Sequence, residues 1–144
     1  MSRYGMNITI IDGQGGQLGA QLVKEISTQF QDVNLTAVGT NAIATTTMIK
    51  AGAKNAATGE NPVIVACRKS DVIIGPVGIV IADSLLGEIT DKMAAAIGRA
   101  HAVRILIPMN KCDNIIAGVP NLNTKALIDD TISKLRSIID SHNS

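Results

Sequence analysis

The chain contains no tryptophan, one tyrosine (Tyr4) and one phenylalanine (Phe30). Two aromatic rings cannot build the stacking platform on which proteins lay single-stranded nucleic acid. Charge is equally scarce. Charged residues make up 17% of the sequence, the formal net charge is +1, and Lys and Arg are scattered rather than clustered. A nucleic-acid partner, which calls for a basic stripe, is therefore not expected. Cysteine occurs only at Cys67 and Cys112, too few for a disulfide framework, so a reduced, cytoplasmic setting is expected. Apolar runs break at Gly, Pro or a charge well short of the ~20 residues a membrane span requires, so no membrane partner is expected. No basic-then-apolar leader precedes the first strand, and no secretory signal is expected. His101 and His142, the only histidines, lack metal-ligand spacing, so no metal site is expected.

What the chain does have is aliphatic residues. Hydrophobic residues make up 46% of its 144 positions, almost all Ile, Val, Leu and Ala. That composition suits buried parallel strands flanked by helices. The length fits one domain over residues 1–144, and surplus apolar surface points to a homo-oligomer.

Periodicity divides the chain into alternating elements. Met6–Ile11 reads as a strand and Gly16–Phe30 as a helix with Leu18, Leu22 and Ile26 on one face. Asn34–Val38 reads as a second strand, and Gly39-Thr40-Asn41 opens a helix that Gly52 closes. Ala56-Ala57-Thr58 reads as a short edge strand. Asn61, followed by Pro62, reads as the cap of a third helix. Asp71–Ile74 reads as a buried strand that Gly75-Pro76-Val77-Gly78 stops. The apolar run Ile79–Leu86 fits either a strand or a helix. Thr90 caps a helix to about Ala100, Arg104–Ile107 reads as a strand, and Asn114–Val119 as a short strand or hairpin arm. Asn123 or Thr124 caps a last helix to about Asp140, with Leu127, Ile128, Ile132, Leu135, Ile138 and Ile139 on its buried face. The alternation predicts a Rossmann-like three-layer α/β sandwich around a mostly parallel sheet of about five strands.

The first strand runs into Asp12-Gly13-Gln14-Gly15-Gly16-Gln17-Leu18-Gly19. At a strand–turn–helix junction a phosphate can approach bare N–H groups and the positive end of a helix dipole. The Gly-x-Gly-x-x-Gly fingerprint fails here because Leu18 stands where the last glycine belongs. Gly-x-x-Gly-x-x-Gly fits at Gly13, Gly16 and Gly19, and resembles the cofactor loop of extended and atypical short-chain dehydrogenases. One glycine makes the turn, one clears the phosphate's path, and one lets helix pack on strand. Two dehydrogenase features are missing. The second strand closes on Val38-Gly39-Thr40 with no acid for a ribose, and no Tyr-x-x-x-Lys pair exists. No Lys-Ser or Lys-Thr follows the glycines, so the turn is no P-loop. The alternative is a tight turn that serves packing alone.

Ligands of open α/β sheets lie beyond the carboxyl ends of the strands. Thr40 and Asn41 stand at one such end, and Gly75 and Pro76 at another, the latter pair read as a crevice floor. Gln17 and Leu18 would donate N–H groups from the first helical turn. Asp12 either binds a cation or hydroxyl or caps the glycine loop. Glu60 reads as a general base if buried, otherwise as a solvated acid in the first turn of a helix. Lys111 beside Cys112 would favour a thiolate, whereas Cys67 reads as inert packing.

Across its length the chain also resembles a family of small Rossmann-like bacterial proteins of unknown function, found mainly in anaerobic Firmicutes. The segments that carry the resemblance are Ile11-Asp12-Gly13-Gln14-Gly15-Gly16, Gly39-Thr40-Asn41-Ala42, Met48-Ile49-Lys50-Ala51-Gly52-Ala53 and Ala57-Thr58-Gly59-Glu60-Asn61. Asp71-Val72-Ile73-Ile74-Gly75-Pro76, Leu85-Leu86-Gly87-Glu88-Ile89-Thr90 and Pro108-Met109-Asn110-Lys111-Cys112 carry it further. The resemblance implies a Rossmann-like domain and no activity. The residues themselves point to a phosphate-bearing small molecule at Gly13–Gly19, with NAD(P) or another nucleotide as the expected cofactor. Two rivals stand beside it. One is a ligand-free structural or regulatory protein that self-associates through Ile79–Leu86. The other is a small enzyme using Asp12, Glu60 or Cys112.

Overall fold

A computed structural model describes residues 5–109 and 113–144. Alternating strands and helices build one five-stranded sheet: β1 (Met6–Asp12), α1 (Gln17–Gln29), β2 (Val33–Gly39), α2 (Ala42–Lys50), β3 (Asn55–Thr58), α3 (Glu60–Lys69), β4 (Val72–Pro76), α4 (Asp91–Arg99), β5 (Val103–Ile107) and α5 (Thr124–Asn143). The strand order is β3-β2-β1-β4-β5, and every pairing is parallel. The expected three-layer sandwich is thus present, with a sheet that is parallel throughout its described strands.

Both faces of the sheet are packed, as parallel strands require. Ile8, Ile10 and Ile74 meet Leu22, Val23 and Ile26 of α1, Met48 of α2, and Ile128, Ile132 and Leu135 of α5. Ile11, Val38 and Ile73 face Val63 and Cys67 of α3 and Met93 and Ile97 of α4. The lone phenylalanine joins two helices: the Arg136 guanidinium of α5 lies 4.7 Å from the Phe30 ring centroid at the end of α1. Arg136 also donates to Gln29 Oε1 at 2.7 Å.

Helix ends show which local signals were read correctly. Asn41 Oδ1 accepts the Ala44 N–H at 2.8 Å, and Asn123 Oδ1 accepts the Ala126 N–H at 2.8 Å. Thr90 Oγ1 accepts the Met93 N–H at 3.1 Å. Asn61 is not a cap. Gly59, at φ 105°, starts α3, which places Glu60, Asn61 and Pro62 all inside the first turn. Glycine enters that positive-φ position without the Cβ penalty that any other residue would incur.

Four further expectations are corrected. Gly75 and Pro76 belong to β4 rather than stopping it, and pair with Leu106 and Ile107 of β5. A methyl group at Gly75 would collide with the Ile11 carbonyl oxygen, so this glycine serves the close approach of β4 to β1. Ile79–Leu86 is neither strand nor helix: a single 3-10 turn over Val77–Val80 leads into successive turns. Residues 114–119 form turns and irregular chain, and α5 continues past Asp140 to Asn143. Gly118 takes φ 80° within that segment and Pro120, which has no N–H to donate to a ladder, follows it, so the run is poorly suited to pair as a strand.

Candidate functional site

The strand order reverses between β1 and β4, and the turns leaving these strands meet at the carboxyl edge of the sheet. That reversal is where open α/β sheets form a crevice. Gly13–Gly16 leaves β1, and Gly16 takes φ 76° at the start of α1. A methyl on Gly16 would stand 2.7 Å from the Ala44 carbonyl oxygen, so this glycine is dictated by helix α2. Gly19 is dictated from below: its methyl would meet Met48 Sδ at 2.5 Å and Asp12 Cβ at 2.9 Å. Gly15 is different. It is exposed, and a side chain there would meet only Gln17 Cγ at 3.9 Å.

Asp12 caps the loop. Its Oδ1 accepts the Gly13 N–H at 2.8 Å and its Oδ2 the Gly19 N–H at 2.7 Å, while the residue is 3% exposed. Burial drives its pKa above the ordinary carboxylate value; the hydrogen bonds from Gly19 and Gly13 oppose this, and the charge of Glu88 adds to it.

Sequence reasoning missed Glu88. Its Oε1 accepts the Gln14 N–H at 2.8 Å, Thr40 Oγ1–H at 2.5 Å and Asn41 Nδ2–H at 2.9 Å. Asn41 Nδ2 also donates to the Gln14 carbonyl at 3.0 Å, tying the turn to α2. Partial burial raises the Glu88 pKa, but the hydrogen bonds from Thr40, Gln14 and Asn41 outweigh it and hold the group below the usual glutamate value. A methyl on Gly13 would crowd Thr40 Oγ1, Glu88 Oε1 and Leu85 Cδ1 at 2.6, 2.8 and 2.9 Å. The one sequence signal was an acid after Gly87, just ahead of the Thr90 cap.

The structure therefore brings Asp12, Gly13, Gln14, Gly19, Thr40 and Asn41 together around two carboxylates. Gly75 and Pro76 end the neighbouring strand, and Ile79 and Leu85 are buried over it. Gly13, Gln14 and Gly19 N–H groups are taken by the chain's own acids, and the Gly16 N–H by the Gly13 carbonyl at 3.0 Å. The N–H groups of Gly15, Gln17 and Leu18 have no partner among the described residues.

Other candidates lie elsewhere. Glu60 accepts Thr90 Oγ1–H at 2.6 Å, linking the starts of α3 and α4. Burial pushes the Cys67 thiol up to about 11, far from a reactive thiolate. Cys112 lies outside the described residues. Among the described residues, no group of three or more His, Cys, Asp or Glu could hold a metal. Nor is any described helix long and apolar enough to cross a membrane. In the Ile79–Leu86 run, Ile79 and Leu85 are internal, whereas Leu86 is 94% exposed.

A cavity of about 930 Å³ opens beside α3 and is lined by Asn7, Asn34, Thr36, Asn55 and Lys69 among others. Beside it β3 pairs with β2 only from Thr36 onward, so among the described residues the first part of β2 has no outer strand. The glycine turn does not line it.

An all-parallel sheet with a glycine turn at its reversal defines a Rossmann-like α/β protein. Within that class the chain belongs to the family DUF3842, described as a domain of unknown function, which matches residues 7–140. No curated protein matches the chain.

Proposed function

We propose that this protein binds a phosphate-bearing small molecule, with a nucleotide of the NAD(P) type as the leading class, at the glycine turn between β1 and α1. The observation that carries this reading is the set of unpartnered N–H groups at Gly15, in the turn, and at Gln17 and Leu18, which open a 13-residue helix. Such a terminus combines free donors with a positive dipole end, the combination that favours phosphate. Asp12 lies under the turn rather than in the path of a ligand: it is buried and occupied with Gly13 and Gly19. Thr40 and Asn41 would meet the next portion of the ligand.

A cytoplasmic setting is supported by two cysteines without a disulfide framework. Self-association of this one-domain chain is supported by exposed apolar side chains at Ile43, Ile49 and Val103.

Thermal denaturation with inorganic pyrophosphate and a nucleotide panel tests the reading. A ligand at ~100 times its Kd should stabilise the fold by ~2.7 kcal/mol. Gly15→Val should fold, since the position is open, and should weaken binding at least tenfold by standing beside the three N–H groups. Absence of a shift with every compound, or undiminished binding by folded Gly15→Val, overturns the reading.

A further inference from the structure

Dinucleotide folds of this class place an acid at the end of the second strand, where it accepts ribose hydroxyls. Here that corner is Val38-Gly39-Thr40, and it supplies no acid. The fold brings one in from another loop. The Glu88 carboxylate, 48 residues after Thr40 in sequence, reaches Thr40 and Asn41 at the end of β2 and Gln14 in the glycine turn.

We infer that Glu88 replaces the missing β2 acid and selects nucleotides whose ribose carries a free diol. The inference rests on the proposed binding of phosphate at the turn.

Three features fit the role. All three donors converge on Oε1, so the Oε2 atom has no partner among the described residues and keeps its acceptor capacity. The carboxylate is bonded to Thr40 and Asn41 at the end of β2 and to Gln14, whereas the unpartnered N–H groups are those of Gly15, Gln17 and Leu18. The loop that carries Glu88 is braced. Asp83 N–H donates to the Ile89 carbonyl at 2.7 Å and Ile89 N–H to the Ser84 carbonyl at 3.2 Å. Ser84 Oγ–H donates to the Gly78 carbonyl, and Leu85 is buried in the core behind α4. An acceptor held by such a brace can distinguish a hydroxyl from a hydrogen, because the analogue without the hydroxyl leaves the acceptor unpaired. Its negative charge also disfavours a phosphate on the same ribose position.

Adenosine diphosphate, its 2′-deoxy analogue and its 2′-phosphorylated analogue are the probes, titrated by calorimetry beside inorganic pyrophosphate. Wild-type protein should bind adenosine diphosphate at least tenfold more tightly than either analogue. Glu88→Gln keeps an oxygen for the three donors and replaces the other with an amide, and should bring all three ligands within threefold of one another. Should that variant fail to fold, Glu88→Asp serves instead: its carboxylate is drawn back by one methylene, and the preference should again disappear. Pyrophosphate binding without ribose discrimination, or discrimination that survives either folded variant, overturns the role of Glu88 and leaves phosphate binding standing. Failure of every probe to bind the wild type overturns both.

Discussion

Asp12 and Glu88 accept N–H groups of the same turn, yet burial and hydrogen bonding balance differently at the two. Desolvation prevails at Asp12, whose pKa is raised above 3.8; hydrogen bonds prevail at Glu88, whose pKa is lowered below 4.5. The two therefore affect stability with opposite signs. Asp12 holds a proton more tightly folded than unfolded, so its contribution is fully present below 3.8 and fades as pH rises through the folded value. The Glu88 contribution is present above 4.5 and fades as pH falls through its lower folded value. At pH 7, Asp12→Asn should still cost about 1–2 kcal/mol, because an amide offers one acceptor to two buried N–H groups. Its deficit relative to wild type should widen on acidification, while that of Glu88→Gln should narrow. Urea denaturation at pH 7 and pH 4 measures both, and equal slopes for the two variants would contradict the assignment.

The element that delivers Glu88 is built against the backbone preferences of its residues. Asp83, Leu85 and Leu86 take φ of 67°, 56° and 56°, followed by Gly87 at 86°. A left-handed conformation costs a residue with a side chain roughly 1–2 kcal/mol. Leu85 recovers this by burial at 1% exposure; Leu86, 94% exposed, does not. Leu86→Gly should therefore stabilise the protein by about 0.5–1 kcal/mol, after the larger unfolded-state entropy of glycine is deducted. Leu85→Gly should destabilise it by at least ~2 kcal/mol, since a filled core position is emptied. Chemical denaturation of the two variants separates them by sign. The same loop marks the boundary of what the sequence discloses. Strands and helices were legible because apolar periodicity is local, and the caps at Asn41, Thr90 and Asn123 because a cap reaches only two or three residues. Asp12, Gly13 and Asn41 could be placed at the site for the same reason. The path of residues 77–89 could not be read, because leucine at positive φ has no compositional signature. Glu88 was invisible as a site residue because its partner in the turn, Gln14, is 74 positions away. Asn61 misled because Asn-Pro is a good helix start in isolation, and the fold used the preceding glycine instead.

At the scale of the whole molecule, β1 is the axis. It pairs with β2 over seven residues and with β4 over three, so both halves of the sheet and both ends of the site hang on one strand. The sheet divides the interior into two apolar clusters, one under α1, α2 and α5 and the other under α3 and α4. The sheet stands between α1 and α4, so their side chains pack in separate clusters and share no cavity. Val23 and Ile97 form such a pair, each fully buried in its own cluster. Val23→Ala and Ile97→Val each remove buried methyl groups and should cost about 0.5–2.5 kcal/mol. Their sum should equal the cost of the double variant within about 0.5 kcal/mol, the limit for residues without common neighbours. A double-mutant cycle by urea denaturation measures this. If the clusters communicate through bending of the sheet, the coupling will exceed that limit. The glycine turn would then sense packing on either face, because β1 carries it.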